Sequence, residues 1–353
     1  MNEINRPLLD AHVVVERGDL LLDVALRVAP GETIALMGPN GAGKTSLLYS
    51  LFGWLPLRSG WILLDGQTLD APGEDRSVPP HLRNLGMVFD DGLLFPHMTV
   101  GQNLAFGSDT KLVDPDLVEL LELAPLVAKQ IHHLSAGQRQ RVALARTLLA
   151  KPKMVLLDEP LSSLDPSARG QARDLIKSAF DSQLSGALLV THDPADAFTL
   201  ADRVMVLENG KVSQFDSLTA LSTQPSTPWI ASLIGWNFFT GSARDSIVVL
   251  PDGIEIATSH SGLSGEMTVA INPGSVSLFL ESPGGSPRNN WRCEVSNVQF
   301  VGQVARVTLS GVMQIHADIT KAAAAELGLH QGLELWASVK ATEVLVQGSS
   351  RPS

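Results

Sequence analysis

The sequence predicts an α/β domain followed by a smaller domain rich in β-strands. Over residues 1–235, short apolar runs that end in polar or glycine-rich turns alternate with helical patterns, which is typical of a largely parallel sheet covered by helices. A run of Ser, Thr, Gln and Pro at 222–228 has the composition of a linker. Beyond it, apolar segments follow one another between glycine-containing turns. We therefore expect domains at 1–235 and 236–353.

In the first domain, apolar runs and helical periodicity predict the elements that carry the sheet. The candidate strands cover 33–37, 154–157, 187–191 and 204–207, and the candidate helices cover 43–51, 116–123, 135–150 and 166–180. Asn209-Gly210 follows the last of these strands, and this dipeptide favours a tight hairpin. In the second domain we expect strands at 246–250, 267–271, 276–280, 304–309 and 333–339, and one helix at 320–327.

Composition excludes several classes of protein. The chain has 353 residues, a net charge of −11 and a single cysteine, Cys293, so an intramolecular disulfide is excluded and a reducing compartment is favoured. The acidic balance, without a stripe of Lys and Arg, disfavours nucleic acid as a partner. No apolar run approaches the ~20 residues that cross a bilayer, and no secretory signal is visible. We expect a cytoplasmic protein that reaches the membrane only through a partner.

A phosphate-binding loop is the most informative motif. It matches G-x-x-x-x-G-K-[ST] and consists of Gly38, Pro39, Asn40, Gly41, Ala42, Gly43, Lys44 and Thr45. Glycines let successive backbone N–H groups point at phosphate oxygens, and the helix that follows presents its positive N-terminus. We expect Lys44 to reach the β- and γ-phosphates and the Thr45 hydroxyl to face Mg²⁺. The predicted strand before this loop and the helix after it support a nucleotide site.

Acidic and imidazole side chains follow two further predicted strands. Asp158 and Glu159 end a fully apolar run, and His192 ends another. Open α/β sheets bind ligands at the carboxyl ends of their strands, so all three are expected near the phosphate loop. Asp158 can hold Mg²⁺, and Glu159 can orient and deprotonate an attacking water. His192 alone would more often be structural, and its alignment with the other motifs makes it a candidate.

A capped helix follows residue 134. Ser135 with Gln138 three residues later forms a capping-box pattern, and Gly137 lies between them. A helix N-terminus of this kind can simply be capped, or it can present N–H groups to phosphate.

Together these motifs resemble the ATP-binding cassette (ABC) ATPases, over residues 8–235. The resemblance implies a P-loop NTPase that binds ATP and Mg²⁺ in a head-to-tail dimer with a second copy of itself. It implies that Ser135 and Gly137 contact the γ-phosphate across the dimer interface, and that Glu159 is the general base. It also implies that His192 contacts the γ-phosphate and that Asp165 connects the two sites.

Two positions depart from the pattern of the family. Asp90 stands where the family usually has a Gln that approaches Mg²⁺ and the attacking water. Asp90 could bind the ion or repel Glu159 and the phosphates, and we expect loose or water-mediated coordination rather than inactivity. The aromatic residue that stacks on adenine is also missing, and the corresponding stretch offers Arg17, whose plane can stack on a base.

The second domain resembles the small molybdate-binding (Mop/TOBE) domain, an all-β OB-like fold, over about 287–349. The resemblance places a tetrahedral oxyanion near a set of polar residues: Ser286, Arg288, Asn289, Lys340 and Ala341. N–H and hydroxyl donors with one or two cations suit such an anion. A related domain that keeps the fold without the ligand is the alternative.

The segments 94–100 and 201–210, together with the C-terminal β domain, resemble the importer branch of this family. The resemblance points to the ATP-hydrolysing subunit of a molybdate importer. Such a subunit would sit at the cytoplasmic face of the membrane, bound to a transmembrane permease and served by an extracytoplasmic oxyanion-binding protein. The same class includes importers for sulfate or thiosulfate, iron, tungstate or a sugar. An ATP-gated molybdate sensor is a second alternative, and a soluble cassette ATPase acting on DNA or ribosomes is a third.

Overall fold

The computed structural model describes residues 6–90, 92–106, 114–162, 164, 166–181 and 186–348. The chain divides into two compact units at Thr223/Gln224. This division falls inside the predicted linker and twelve residues before the predicted boundary at 235, because helix α8 (Pro228–Leu233) packs on strand β12 (Asn237–Asp245) of the second unit. No helix within the described ranges is long and apolar enough to cross a membrane.

The first unit is built on one large mixed sheet. Its strands are β1 (Leu9–Arg17), β2 (Leu20–Val28), β3 (Thr33–Met37), β4 (Ser59–Leu64), β5 (Gln67–Ala71), β6 (Arg76–Ser77), β7 (Leu85–Val88), β8 (Met154–Asp158), β9 (Gly186–Val190), β10 (Arg203–Glu208) and β11 (Lys211–Ser217). Their order in the sheet is β6-β5-β4-β1-β2-β11-β10-β3-β9-β8-β7.

The two halves of this sheet differ in direction. Strands β10, β3, β9, β8 and β7 are parallel neighbours, whereas β1, β2, β4, β5 and β6 pair in antiparallel fashion. All five residues of β3 and of β9 are buried, as expected for central parallel strands covered on both faces. β10 and β11 form the hairpin predicted at Asn209-Gly210, where both residues have positive φ.

Helices cover the sheet of the first unit. They are α1 (Lys44–Phe52), α2 (Val100–Phe106), α3 (Pro115–Leu120), α4 (Ala136–Leu149), α5 (Pro166–Asp181), α6 (Pro194–Leu200) and α7 (Leu218–Thr223). The predicted helices at 43–51, 135–150 and 166–180 match α1, α4 and α5 to within one residue at each end, and α3 ends three residues before the predicted 123. One apolar core lies around α1 and the antiparallel strands, and a second lies around α4 and α5.

The second unit is almost entirely β. Besides α8 and β12, its elements are β13 (Ile247–Val249), β14 (Glu255–Ala257), β15 (Leu263–Ile271), β16 (Ser277–Phe279), β17 (Asn289–Val301), β18 (Val304–Gly311), β19 (Ile315–Thr320), α9 (Lys321–Glu326), β20 (Glu334–Val339) and β21 (Val344–Gly348). Within the described residues they form two five-stranded sheets, ordered β14-β13-β12-β15-β21 and β16-β20-β17-β18-β19, which share one apolar core. The small β domain predicted here is therefore confirmed.

Candidate functional site

Four adjacent parallel strands bring the predicted site residues to one edge of the sheet. The phosphate loop follows β3, His192 follows β9, Asp158 ends β8 with Glu159 directly after it, and Asp90 follows β7. These strands are neighbours in the order β3-β9-β8-β7 and all run in the same direction. Parallel strands place their carboxyl ends together, so four segments far apart in sequence meet at the ligand-binding edge of an α/β sheet.

The phosphate loop has a backbone shape that depends on glycine. Gly38, Gly41 and Gly43 have φ of 145°, 80° and 104°, in the region that L-residues rarely adopt. At Gly38 there is also no space, because a Cβ would lie 2.1 Å from the carbonyl oxygen of Leu207. The loop therefore lies directly against the end of β10.

Lys44 begins α1 and folds back over the loop. Its Nζ donates hydrogen bonds to the carbonyl oxygens of Gly38 at 2.7 Å and Pro39 at 2.9 Å, and the residue is buried. Burial lowers the pKa of Lys44, while the nearby carboxylates of Glu159 and Asp158 raise it. The ammonium is thus held inside the loop, opposite the two acids.

Thr45 and Asp158 form the second contact across the site. The Thr45 hydroxyl donates to Oδ1 of Asp158 at 3.5 Å. Burial raises the pKa of Asp158 to about 6, with the negative charges of Asp90 and Glu159 adding to the increase, and the Thr45 hydrogen bond and Lys44 opposing it. A hydroxyl and a carboxylate side by side are the hard oxygen donors that Mg²⁺ prefers, so this pair fits the predicted ion.

Glu159 and His192 lie against each other beside this pair. Nδ1 of His192 is 3.3 Å from Oε2 of Glu159, and the side chains are 57% and 35% exposed. The Glu159 backbone N–H donates to the carbonyl of Val190 at 3.0 Å, which fixes the end of β8 against the end of β9. Glu159 itself has a φ of 48°, a left-handed conformation that is uncommon for a non-glycine residue. Its side chain is half-buried at the sheet edge, in contact with His192.

Ser135 and Gly137 lie elsewhere, at the start of α4. Ser135 caps this helix: its hydroxyl accepts from the Gln138 N–H at 3.3 Å, and the Gln138 side chain accepts from the Ser135 N–H at 3.0 Å. This capping box is the one that the sequence predicts. Within the described residues no hydrogen bond joins Ser135 to the phosphate loop of its own chain. Asp165 falls outside the residues that the structure describes.

Arg17, the candidate for stacking on the base, lies beside the phosphate-loop helix. It ends β1, and its guanidinium donates to the Ser46 hydroxyl of α1 at 3.4 Å. The side chains of Leu20 and Leu22 approach Gly43 from the same turn region. The structure therefore brings the start of the domain to the N-terminal end of α1.

The residues predicted to hold an oxyanion in the second unit differ in exposure and in hydrogen bonding. Ser286, Arg288 and Lys340 are exposed, and Ala341 is half-buried. Asn289 is buried, and its amide is already paired at both ends: Oδ1 accepts from the Ala257 N–H at 2.7 Å, and Nδ2 donates to the Ala257 carbonyl at 2.9 Å. In this structure the Asn289 side chain joins β17 to β14 and presents no donor to solvent.

Two family models match this chain. The model described as "ABC transporter" matches residues 21–162, and the "TOBE domain" model matches residues 285–346. The first match contains the phosphate loop, Ser135 and the acid pair. The second contains the five candidate oxyanion residues.

Curated relatives match along most of the chain. The "Molybdenum import ATP-binding protein ModC" of Mycobacterium tuberculosis is 34% identical over 351 residues, covering 92% of this chain and 94% of the relative. This chain belongs to the family of ABC transporter ATP-binding proteins. Two other relatives of this ABC protein differ in the solute that they are named for. They are the "Molybdate/tungstate import ATP-binding protein WtpC" of Pyrococcus abyssi (31% over 336 residues, 92% of this chain and 95% of the relative) and the "Fe(3+) ions import ATP-binding protein FbpC 2" of Pectobacterium atrosepticum (35% over 307 residues, 85% and 87%).

Solved structures agree with the family assignment. The ABC protein cbiO1 from Clostridium perfringens, described as part of the transporter complex cbiONQ, superimposes with a TM-score of 0.53 at 26% identity. The match covers 65% of this chain and 96% of that protein. The predicted fold, an ABC ATPase domain followed by a small β domain, is therefore confirmed.

Two features of the site escaped the sequence analysis. One is the left-handed backbone of Glu159, which no local pattern announces. The other is Arg169 of α5, which donates to the carbonyls of Ser162 and Leu164, on the loop that follows Glu159. An arginine in an amphipathic helix is usually solvent-facing, so its contact with this loop could not be inferred from spacing.

Proposed function

We propose that this chain is the ATP-hydrolysing subunit of an ABC importer for molybdate. The observation that carries the ATPase part is the meeting of Lys44, Thr45, Asp158, Glu159 and His192 at the carboxyl edge of four adjacent parallel strands. The relatives named for molybdenum and molybdate/tungstate import, with the C-terminal TOBE domain, support the transported solute.

In this proposal the loop 38–45 holds the phosphates of ATP. Backbone N–H groups of the loop and the Lys44 ammonium bind the phosphate oxygens. Thr45 and Asp158 would hold Mg²⁺, with Asp90 nearby in place of the usual Gln, and the ion would neutralise phosphate charge. These are assignments by chemistry and position, since Lys44 in this structure contacts the carbonyls of its own loop.

Hydrolysis is assigned to Glu159 and His192. The Glu159 carboxylate is half-exposed beside the loop, where it can orient a water and accept its proton. His192, in contact with Glu159, would donate a hydrogen bond to the γ-phosphate. Ser135 and Gly137 would complete the site from a second copy of the chain, and Asp165 would connect the two sites. Closure of that dimer on ATP would drive a permease bound at the cytoplasmic face of the membrane.

The ATPase assignment is tested with purified full-length protein. We expect Glu159→Gln to lower kcat by at least about a hundredfold while ATP still binds, because the amide keeps the shape but cannot accept the proton. Glu119→Gln, the same change at an exposed position on α3, is the matched control and should leave kcat unchanged. A Glu159→Gln variant with the wild-type rate would reject Glu159 as the general base, and if that shared rate is no higher than background, the result favours an ATP-gated sensor.

The solute is tested by calorimetric titration with molybdate, tungstate and sulfate. We expect binding of molybdate or tungstate but not of sulfate, with loss of binding in Arg288→Ala, since this exposed arginine supplies a cation for the anion. The second unit would then sense the solute, and ATPase activity of the assembled transporter should respond to molybdate.

An Fe³⁺ importer is the second candidate, because one relative is named for that ion. Absence of binding to every oxyanion would leave the importer ATPase assignment standing and its solute unknown.

A further inference from the structure

One arginine of α5 joins the loop that follows Glu159 to the loop that contains His192. We name Pro160–Ser162 with Leu164 the acid loop, and Thr191–Asp193 the histidine loop. The guanidinium of Arg169 donates from Nε to the Leu164 carbonyl at 3.1 Å and from Nη2 to the Ser162 carbonyl at 3.3 Å. Nη1 donates to Oδ2 of Asp193 at 3.2 Å. All three nitrogens are therefore used, two on the acid loop and one on the histidine loop.

The acid loop is bound to Glu159 over a short path. The Ser162 hydroxyl and the Ser162 N–H both donate to the carbonyl of Glu159, at 2.9 and 3.1 Å. Leu164 is buried, and its N–H donates to the Leu161 carbonyl at 3.2 Å. A displacement of the acid loop would therefore displace the backbone of Glu159.

The histidine loop is anchored at Asp193. This residue caps α6 by accepting from the Ala195 N–H at 2.8 Å, and its own N–H donates to the Thr191 hydroxyl at 3.1 Å. Its other oxygen receives Arg169 and also Arg173, whose Nη2 lies 3.3 Å away. Because His192 stands between Thr191 and Asp193, its position is set by this anchor.

We propose that Arg169 is a positioning residue that makes the acid loop and the histidine loop move as one unit. A planar guanidinium with donors in a fixed fork can hold two carbonyls and a carboxylate at once, which a lysine cannot. Its side chain is 22% exposed, so these charged hydrogen bonds are partly shielded from water. The inference rests on the proposed function, because it assigns a role in keeping Glu159 and His192 together during hydrolysis.

Arg173 supplies a matched control on the same helix. It also pairs with Asp193, and its Nε donates to Oδ1 of Asp196 at 2.5 Å. Among the described residues, however, its hydrogen bonds go to these two carboxylates and none goes to the acid loop. If the arginines only fasten α5 to α6, substitutions of Arg169 and Arg173 should lower kcat equally. If Arg169 also joins the two loops, its substitution should lower kcat more.

The first experiment separates kcat from KM for ATP in the full-length protein. We expect Arg169→Gln to lower kcat about tenfold or more, since charged hydrogen bonds are lost, with KM changed less than about twofold. Arg169→Lys should recover only part of kcat, and Arg173→Gln should keep kcat within about threefold of wild type. Equal losses of kcat in Arg169→Gln and Arg173→Gln would overturn the proposal.

The second experiment is a double-mutant cycle between Arg169→Gln and His192→Ala. If the arginine acts by positioning the histidine loop, the combined loss of kcat is smaller than the product of the single losses. Multiplicative losses would overturn the proposal. Melting temperatures check that each variant folds, and Arg169→Lys replaces the Gln variant in the cycle if the latter does not. Glu159→Gln distinguishes a failure of the proposed function from a failure of the Arg169 proposal. If Glu159→Gln retains wild-type activity, the hydrolytic role proposed for Glu159 fails. If it is inactive while Arg169→Gln is fully active, only the positioning role fails.

Discussion

Arg83 and Asp70 form an ion pair that is almost completely withdrawn from water. Nη2 of the arginine lies 2.6 Å from Oδ2 of the aspartate, and the side chains are 1% and 6% exposed. The same guanidinium donates to the Ser50 and Leu51 carbonyls at 3.1 and 2.9 Å, and to the Val78 carbonyl at 2.7 Å. It therefore satisfies carbonyls at the C-terminal end of α1, the helix that begins with Lys44, and ties that end to the antiparallel strands.

Removal of this arginine should strongly destabilise the first unit. We expect Arg83→Met to lower the free energy of unfolding by about 3–5 kcal/mol, because it leaves a buried carboxylate without its partner. Arg58→Met breaks the exposed pair with Glu16, whose side chains are 61% and 59% exposed, and should cost less than about 1 kcal/mol. Urea unfolding measures both, and equal losses would contradict a structural role for the buried pair.

The raised pKa of Asp158 gives stability a defined dependence on pH. An unfolded aspartate binds its proton near pH 4, whereas burial raises the folded pKa of Asp158 to about 6. Between these values the folded state binds more protons than the unfolded state, so this group makes stability fall as pH rises through the window. Asp158→Asn should flatten the melting temperature between pH 4 and 6 in protein without metal or nucleotide. Asp174→Asn, at an exposed position, should leave the profile unchanged.

The same carboxylate should make Mg²⁺-dependent ATP binding sensitive to pH. Because a carboxylate must be ionised to hold the ion, affinity for ATP with Mg²⁺ should fall as pH drops through about 6. The charge of Asp90 is one cause of the raised pKa of Asp158. Asp90→Gln should therefore move the midpoint of the pH profile to lower pH. Titrations at several pH values measure the shift, and an unchanged midpoint would show that the two carboxylates do not interact.

Two glycines of the phosphate loop should respond differently to alanine. A Cβ at Gly38 would lie 2.1 Å from a backbone oxygen and forces the loop to move, with a cost of about 1–3 kcal/mol or more and loss of ATP affinity. A Cβ at Gly41 meets nothing within 4 Å, so only its φ of 80° opposes the change, at about 1 kcal/mol. Thermal unfolding and nucleotide titration compare them. Similar ATP affinities in the two variants would contradict the close approach to β10.

The paired amide of Asn289 predicts a structural effect in the second unit. Asn289→Ala removes two buried hydrogen bonds to the Ala257 backbone and should lower the free energy of unfolding by about 2 kcal/mol. Arg288→Ala, at the exposed neighbouring position, should change it little. Differential scanning calorimetry measures the two. If Asn289→Ala were as stable as Arg288→Ala, the amide would be free to serve a ligand.

The parts of the fold that sequence predicts best are those fixed by local signals. The strand before the phosphate loop, the helix after it and the capping box at Ser135 each follow from residues a few positions apart. The same holds for the Asn209-Gly210 hairpin. The antiparallel strands β1 and β2 were not among the predicted strands, although every second residue of β1 from Leu9 to Val15 is buried. That alternation is the signal that could have found them.

Interactions between distant segments lie beyond such signals. Arg83 follows Pro-Pro-His-Leu, a stretch that is typical of a surface loop, and nothing in it indicates burial against Asp70. Long β17 was not predicted because its polar residues interrupt the apolar pattern. Pairing with β18 and β20 and burial of Trp291, Cys293 and Val295 stabilise it. Asn289 was assigned to an oxyanion site because of a motif. Its amide instead pairs with the backbone of Ala257, and the sequence does not indicate that β14 lies next to β17.

At Glu159, the left-handed backbone conformation that lowers stability occurs at the residue proposed for hydrolysis. A side chain at φ 48° raises the energy of the folded chain by about 1–2 kcal/mol, a cost that glycine would avoid. Glycine there should thus yield a more heat-resistant protein that lacks the proposed general base. A search for thermostable variants of this ATPase that ignored turnover would count Glu159→Gly among its gains, with glycine substitutions at other left-handed positions such as Leu93. It would recover a tighter fold that no longer hydrolyses its nucleotide.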